Sequence, residues 1–402
     1  MIARIIIPII VCTVLPYLWI DRRYIRSRGK KLRVLFWLPA LIVLAYSIYL
    51  ALQRNFIPDN PVLEDIWFLV MAFFAVPQFV FAVCGGIGYG CMRLLRDRLH
   101  WGKIHSRRNW GKLVGLVLAV VACVTFLYGF TYGFRKMSVK RIMIYVPDLP
   151  KSFEGYRIVQ FTDIHFGSYY GWRGDLPQRD VDTINALKPD MICFTGDVQN
   201  VQPSDFKQYI ALMRQLKAKD GVYSVLGNHD YTYYVDVSPE EAVNLEAQVK
   251  KQEREMGWHL LNNEQAVIRR GNDSIYVVGT ENYEKPAHTH IAKALYGIKK
   301  GNFVLMLQHI PKQWKETWPS TINEMHGSKD TVLVAPQLTL SGHTHGGQIS
   351  VLGLRPSMFT PFDYGLYEHE GCQLYTSSGL GGTIPIRIGA TAEIVEITLK
   401  RK

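Results

Sequence analysis

Four stretches without a single Asp, Glu, Lys or Arg, residues 5–20, 34–52, 66–92 and 113–134, leave this chain little freedom. Each is near or above the roughly 18 to 20 residues that carry a helix across a bilayer. Hydrocarbon offers no partner to a backbone N–H or C=O, so a spanning segment satisfies its own hydrogen bonds as a helix. An all-α membrane domain of four transmembrane helices is therefore expected over residues 1–141, and a second domain over 142–402. A cleaved signal peptide is the alternative for residues 1–20, but the basic start is weak and Tyr17-Leu18-Trp19-Ile20 offers no small-residue cleavage site.

Charge divides the chain at the same place. Residues 1–141 hold 20 Lys and Arg against 5 Asp and Glu, whereas the remainder holds 26 against 29. The second domain thus has no basic excess with which to meet phosphates of a nucleic acid, and none is expected as a partner. Residues 21–33 carry seven Lys and Arg, residues 93–112 another seven, and residues 53–65 only Arg54. Basic loops stay in the cytoplasm, so the amino terminus and the second domain are expected on the outer, periplasmic side of an inner (cell) membrane. Arg135, Lys136, Lys140 and Arg141 weigh against this orientation but are outnumbered. Gly85-Gly86-Ile87-Gly88-Tyr89-Gly90 has the look of a nucleotide loop, yet it lies inside the third span. Gly86 and Gly90, four apart, are read as a helix-packing face. The six cysteines show no disulfide framework and no zinc-type spacing, and are read as small apolar fillers.

From Tyr145 onward short apolar runs alternate with helix-like and turn-like segments, the texture of a mixed α/β domain. Five of those runs end in side chains that bind metals. Residues 156–162 lead into Asp163-Ile164-His165, 191–195 into Gly196-Asp197, 222–226 into Gly227-Asn228-His229-Asp230, 303–308 into His309-Ile310-Pro311, and 338–340 into Ser341-Gly342-His343-Thr344-His345-Gly346-Gly347-Gln348. Buried strands fix the backbone, and the loops at their carboxyl ends present side chains at one sheet edge. Taken singly each has a structural alternative: a helix cap for Asp163 or Asp197, a turn for Asn228, a satisfied core histidine for His309. Their convergence is harder to explain without a multi-ligand site. Carboxylates mixed with imidazoles suit manganese, iron or zinc.

In this order the motifs Asp-x-His, Gly-Asp, Gly-Asn-His-Asp, His-x-Pro and Gly-His-Thr-His-Gly-Gly-Gln resemble those of the calcineurin-like metallophosphoesterase superfamily, in particular its membrane-attached bacterial branch. The resemblance covers residues 150–400 and implies a four-layer sandwich, two mixed β-sheets between helices. It implies Asp163, His165 and His345 on one divalent metal, Asn228, His309 and His343 on a second, and Asp197 bridging both. The expected chemistry is attack on phosphorus by a hydroxide shared between the metals. His229 is similar to the family's non-ligand histidine, which stabilises the pentavalent phosphorus or protonates the leaving oxygen. Asp230 has two open readings, support for the ligands or a structural turn.

The sequence also departs from relatives. Gly196-Asp197-Val198-Gln199-Asn200 lacks the Asp-Arg-Gly of protein serine/threonine phosphatases, which argues against phosphoprotein substrates. Lys312 stands where an acidic residue is common in the membrane-attached branch, and Gly279-Thr280-Glu281-Asn282 replaces Gly-x-Asp-Asp. Tyr231, Tyr233 and Tyr234 beside His229, and Tyr364, Tyr367 and His369 after the last motif, are expected to border the substrate cleft. Lys312 is a further substrate-facing candidate, and Gly346 and Gly347 are expected to leave room for the phosphate. The leading expectation is a membrane-anchored phosphomonoesterase or phosphodiesterase acting on an envelope or lipid-linked substrate. The alternatives are a pyrophosphatase for a UDP-2,3-diacylglucosamine-type lipid A precursor, which requires a cytoplasmic catalytic domain, and a non-catalytic scaffold or sensor whose metals only staple the fold. Oligomeric state is not legible.

Overall fold

The computed structural model describes residues 2–53, 60–97, 109–328 and 332–402. It divides into two compact units, Met1–Thr131 and Tyr132–Lys402. The boundary expected after residue 141 thus falls within a strand. Residues 137–141 pair in parallel with residues 392–396, which ties them to the second unit.

Among the described residues four helices are long and apolar enough to cross a membrane, Ile5–Arg28, Lys30–Ala51, Pro61–Leu95 and Trp110–Gly133, and they make up the first unit but for the end of the last, which runs past Thr131. The basic residues of 21–33 lie on the two helix ends meeting at Gly29, whose φ of 105° makes the turn. The third helix starts earlier than an uncharged run suggests. Asn60 caps it by accepting the Val62 N–H at 3.0 Å, Pro61 fills the first helical position, and Glu64 and Asp65 are buried within it. Arg54, Trp101 and the basic residues of 98–108 lie outside the described residues.

The glycine face also differs from expectation. A Cβ on Gly86 or Gly90 would meet nothing within 4 Å. One on Gly88 would lie 2.9 Å from the Gly111 Cα, and one on Gly115 3.1 Å from the Phe81 Cα. Gly88, Gly111 and Gly115 therefore let the third and fourth helices touch backbone to backbone, and Asn109 fastens the contact by donating to the Gly85 carbonyl at 2.8 Å.

Among its described residues the second unit has twelve strands: β1 Met137–Val146, β2 Arg157–Phe161, β3 Met191–Phe194, β4 Val222–Ser224, β5 His259–Leu260, β6 Glu264–Arg270, β7 Asp273–Gly279, β8 Phe303–Leu307, β9 Leu338–Ser341, β10 Gly365–His369, β11 Cys372–Thr376 and β12 Ala392–Arg401. They form two mixed six-stranded sheets, ordered β1-β12-β2-β3-β4-β5 and β10-β11-β9-β8-β7-β6. Side chains alternate across each strand, which builds the layers. Ile158, Cys193 and Tyr223 of the first sheet pack with Val277, Leu305 and Leu340 of the second. On the outer face of the first sheet Val159, Phe161, Ile192 and Phe194 pack with Val181, Ile184 and Val249 from helices Leu176–Ala186 and Pro239–Glu255. Val278, Val304 and Met306 do the same for the second sheet against Ile291, Leu295 and Ile322. The result is the expected four-layer sandwich. Gln160 crosses its middle, donating to the Ser341 carbonyl at 2.9 Å, so the ends of β2 and β9 that launch two of the motifs are locked together.

Candidate metal centre

All five motif loops leave the carboxyl ends of β2, β3, β4, β8 and β9 and meet at one edge of the sandwich. Two donor groups result, each with ligand atoms within 4.8 Å of one another. Asp163, His165, Asp197 and His345 make the first; Asp197, His309 and His343 make the second. Asp197 belongs to both, through an Oδ2 that lies 3.5 Å from His165 Nε2 and 3.1 Å from His309 Nε2. Asn228 joins the second group, its Oδ1 2.8 Å from His343 Nδ1 and 3.1 Å from His309 Nε2.

Backbone carbonyls aim the rings. His165 Nδ1 donates to the Gln199 carbonyl at 3.1 Å and His309 Nδ1 to the Thr195 carbonyl at 2.7 Å, so in each the Nε2 faces Asp197. His229 Nδ1 donates to the Asn200 carbonyl at 2.7 Å, and Tyr234 stacks on its ring at a centroid distance of 4.3 Å. Tyr234 also accepts from Asn228 Nδ2 at 2.8 Å, which turns the Asn228 oxygen toward the histidines.

The backbone carrying these groups is strained. Asp163, His165, Asp197, His343 and His345 all have positive φ, between 50° and 77°. Residues other than glycine rarely adopt this conformation, at about 1–3 kcal/mol each, and such strain persists only where the surroundings over-determine it. The surroundings here are close glycine contacts and one carboxylate. A Cβ on Gly196 would sit 2.6 Å from the Gly227 nitrogen. Asp230, fully buried, accepts the N–H groups of Asp197, Val198 and Gly227 at 2.8 Å and of Gln199 at 3.3 Å. Of its two open readings, Asp230 therefore braces the loops.

Electrostatics suit a cation. Burial pulls the pKa of His165 and His343 down to about 3 and that of His345 well below its ordinary value, leaving neutral imidazoles with a free lone pair. His309 goes the other way, up to about 9: burial opposes its charge, but Asp197 outweighs it. Burial raises Asp163 to about 7. His165 Nε2 is buried without a hydrogen-bond partner among the described residues, facing a carboxylate oxygen too distant for a good hydrogen bond. A divalent cation fits that donor set of carboxylates, imidazoles and an amide oxygen.

The comparisons with known proteins agree with this geometry. Residues 3–134 match the family model "Probable Calcineurin-like phosphoesterase, transmembrane domain", and residues 156–347 match "Calcineurin-like phosphoesterase". A "Transmembrane protein with metallophosphoesterase domain" from Danio rerio is 30% identical over 359 residues, 84% of this chain and 75% of its own. The chain belongs to the calcineurin-like metallophosphoesterases. Bacterial metallophosphoesterases are among its relatives. One from Helicobacter pylori is 29% identical over 74% of each chain, and YkuE from Bacillus subtilis is 29% identical over 63% of this chain and 82% of its own. This metallophosphoesterase is thus a membrane protein with a phosphoesterase domain and a candidate metal site.

Other expected site residues lie elsewhere or serve another purpose. Tyr231 is buried, stacked on His288 at 4.9 Å with its hydroxyl 3.2 Å from Glu281, because its backbone follows Asp230 inward. Lys312 pairs with Glu284 at 3.1 Å on the exposed surface. Tyr364 donates to Glu393 at 2.9 Å, Tyr367 to Asp363 at 3.2 Å, and the His369 ring packs against Trp318 at a tilt of 38°. Gly346 and Gly347 have φ of 58° and 81°, and added Cβ atoms would meet Ser378 Cβ at 3.2 Å and Arg355 Cβ at 2.8 Å. Both glycines make tight turns, and Gly347 also borders the cleft beside His343 and His345. A cavity of about 1000 Å³ lies at the opposite ends of β8, β9 and β11, beside Phe303, Gln337 and Cys372, and none of the motif residues lines it. His343 and His345 line a cleft of about 320 Å³ with Gly347, Pro356 and Thr383. The residues that sequence reasoning missed are Thr195, Gln199 and Asn200, whose backbone carbonyls aim three histidine rings; the Gln199 side chain adds a hydrogen bond, donating to the His229 carbonyl at 2.9 Å.

Proposed function

We propose that the second unit is a dimetal phosphoric ester hydrolase, held at the membrane by the first, that cleaves a phosphomonoester or phosphodiester of an envelope or lipid-linked substrate. The observation that carries this reading is the sharing of Asp197 by two donor groups. Asp163, His165, Asp197 and His345 would hold one divalent cation, and Asp197, Asn228, His309 and His343 the other. Manganese, iron and zinc all suit these donors. Two such cations, when bound, supply an acidified water and neutralise charge on phosphate oxygens.

The chain's own residues do the rest. Asp197 and Asp163 are the carboxylates that would balance the charge of bound cations. His229 belongs to neither donor group, yet its ring lies 4.9 Å from that of His165. With Nδ1 donating to Asn200, its Nε2 is the nitrogen that faces a phosphate oxygen or the departing alkoxide; in the imidazolium form, protonated on both nitrogens, it would give up the Nε2 proton there, and general acid help of this kind is worth about 10²–10⁴ in rate. A purely structural metal site has no use for such a histidine.

Full-length protein in detergent, supplied with Mn²⁺ and bis(p-nitrophenyl) phosphate, tests the reading. His229→Ala is expected to retain its metals and lose turnover by about 10²-fold or more. Metal-dependent turnover that ignores this substitution would overturn the role of His229, and no turnover by the unsubstituted chain would favour the scaffold reading. The basic clusters support an outer position for the catalytic unit. A reporter fused after Lys402 that is active only in the cytoplasm would reverse that orientation and favour the nucleotide-linked pyrophosphatase.

A further inference from the structure

One wall of the cleft that holds His343 and His345 is a segment whose outer side is apolar and exposed. Val351 and Leu354 exchange backbone hydrogen bonds at 2.9 and 3.0 Å, closing a two-residue turn with Leu352 at φ 53° and Gly353 at φ 83°. Turns of this hand favour Asn, Asp or Gly at the first position. This chain instead places a leucine there, 99% exposed. Phe359, at the end of the short helix Pro356–Phe359, is 88% exposed, and Leu354 is 66% exposed. Backbone preference and solvent both disfavour Leu352, so its position asks for an apolar environment that water does not provide.

The inner side of the segment is fixed. Pro356, Ser357 and Thr360 line the cleft with the two histidines, and Asp363 accepts from both Nε and Nη2 of Arg355. Residues 349–362 hold no acidic residue, and their single charge is Arg355. An anionic headgroup would therefore meet no repulsion from this wall.

Chain connectivity identifies the occupant. The last span ends at Gly133 and β1 begins at Met137, so three residues tether every catalytic unit to a bilayer, whereas a soluble partner would arrive only by diffusion. We propose that residues 351–359 dip into the lipid surface and that the substrate is a phosphoester bearing a hydrocarbon tail, its phosphate at His343 and His345 and its tail against Leu352, Leu354 and Phe359. This rests on the hydrolase reading and names its substrate class.

Full-length protein in phosphatidylcholine/phosphatidylglycerol vesicles provides the test, with two chromogenic phosphodiesters that differ only in a dodecyl chain. Leu352→Asn, which suits the turn, combined with Phe359→Ser is expected to lower the ratio of tailed to untailed turnover by about ten-fold or more, since burying one such side chain is worth roughly that factor. An unchanged ratio overturns the proposal. Hydrolysis of neither ester by the unsubstituted chain defeats the hydrolase reading instead, and a second measurement then decides the loop by itself. An environment-sensitive fluorescent amino acid replacing Leu352 should be blue-shifted and quenched by brominated lipid. A spectrum typical of water, or shielding by protein without lipid quenching, contradicts the lipid contact.

Discussion

Asp230 accepts the backbone N–H of Asp197 at 2.8 Å, so one buried carboxylate holds the peptide that carries another. Asp197 returns the contact by accepting the His229 N–H at 2.8 Å, and the loops after β3 and β4 form one braced unit. Asp230→Ala would leave four N–H groups without this acceptor and release the positive φ at Asp197. Metal affinity and turnover are expected to fall by about 10–100-fold, as for other supports of metal ligands, with a lower Tm. Calorimetric metal titration beside thermal melting checks this.

Tyr234 holds the Asn228 amide through its hydroxyl and His229 through its ring. Tyr234→Phe removes the first and keeps the second. The lost hydrogen bond, about 0.5–1.5 kcal/mol, predicts up to about ten-fold weaker binding at one of the two metal sites with the other unchanged. A two-site metal titration distinguishes this from equal weakening at both.

Glu253 is fully buried in helix Pro239–Glu255, where Ser224 donates to it at 2.6 Å. Burial first, and then the charge of Asp230, holds its pKa well above the usual carboxylate value. Below the ordinary value the group is protonated folded or unfolded and contributes nothing. Above it, unfolding releases the proton, so stability falls as pH rises toward the folded pKa. Glu253→Gln removes this slope, and its Tm advantage over the unsubstituted chain should grow from pH 5 to pH 8 in a melting series.

In the membrane unit, Gly88→Leu should separate two helices that touch through Gly88 and Gly111, at about 1–3 kcal/mol or more, whereas Gly86→Leu meets open space and should be tolerated. Melting of the two variants in detergent checks the contrast.

Much of this was legible in the residues. Uncharged length marked the four spans, and the strand-end motifs marked Asp163, His165, Asp197, Asn228, His309, His343 and His345 as residues that the fold gathers at one edge. What escaped was backbone and direction. Whether Gly86 or Gly88 faces a neighbour depends on helix rotation, which four-residue spacing does not specify. Tyr231 and Tyr234 are three apart in one aromatic run, yet one turns into the core and the other onto His229. The carbonyls of Thr195, Gln199 and Asn200 orient three histidines without any side-chain identity to betray them.

The central claim is that Asp197 joins two cations in one hydrolytic site. Metal content per chain, measured by elemental analysis together with Mn²⁺-dependent phosphodiesterase turnover on full-length protein and Asp197→Ala, tests it most directly. Two metals per chain, reduced to one or none by the substitution with turnover lost, is the predicted result; an Asp197→Ala protein that keeps both metals and its turnover would contradict it.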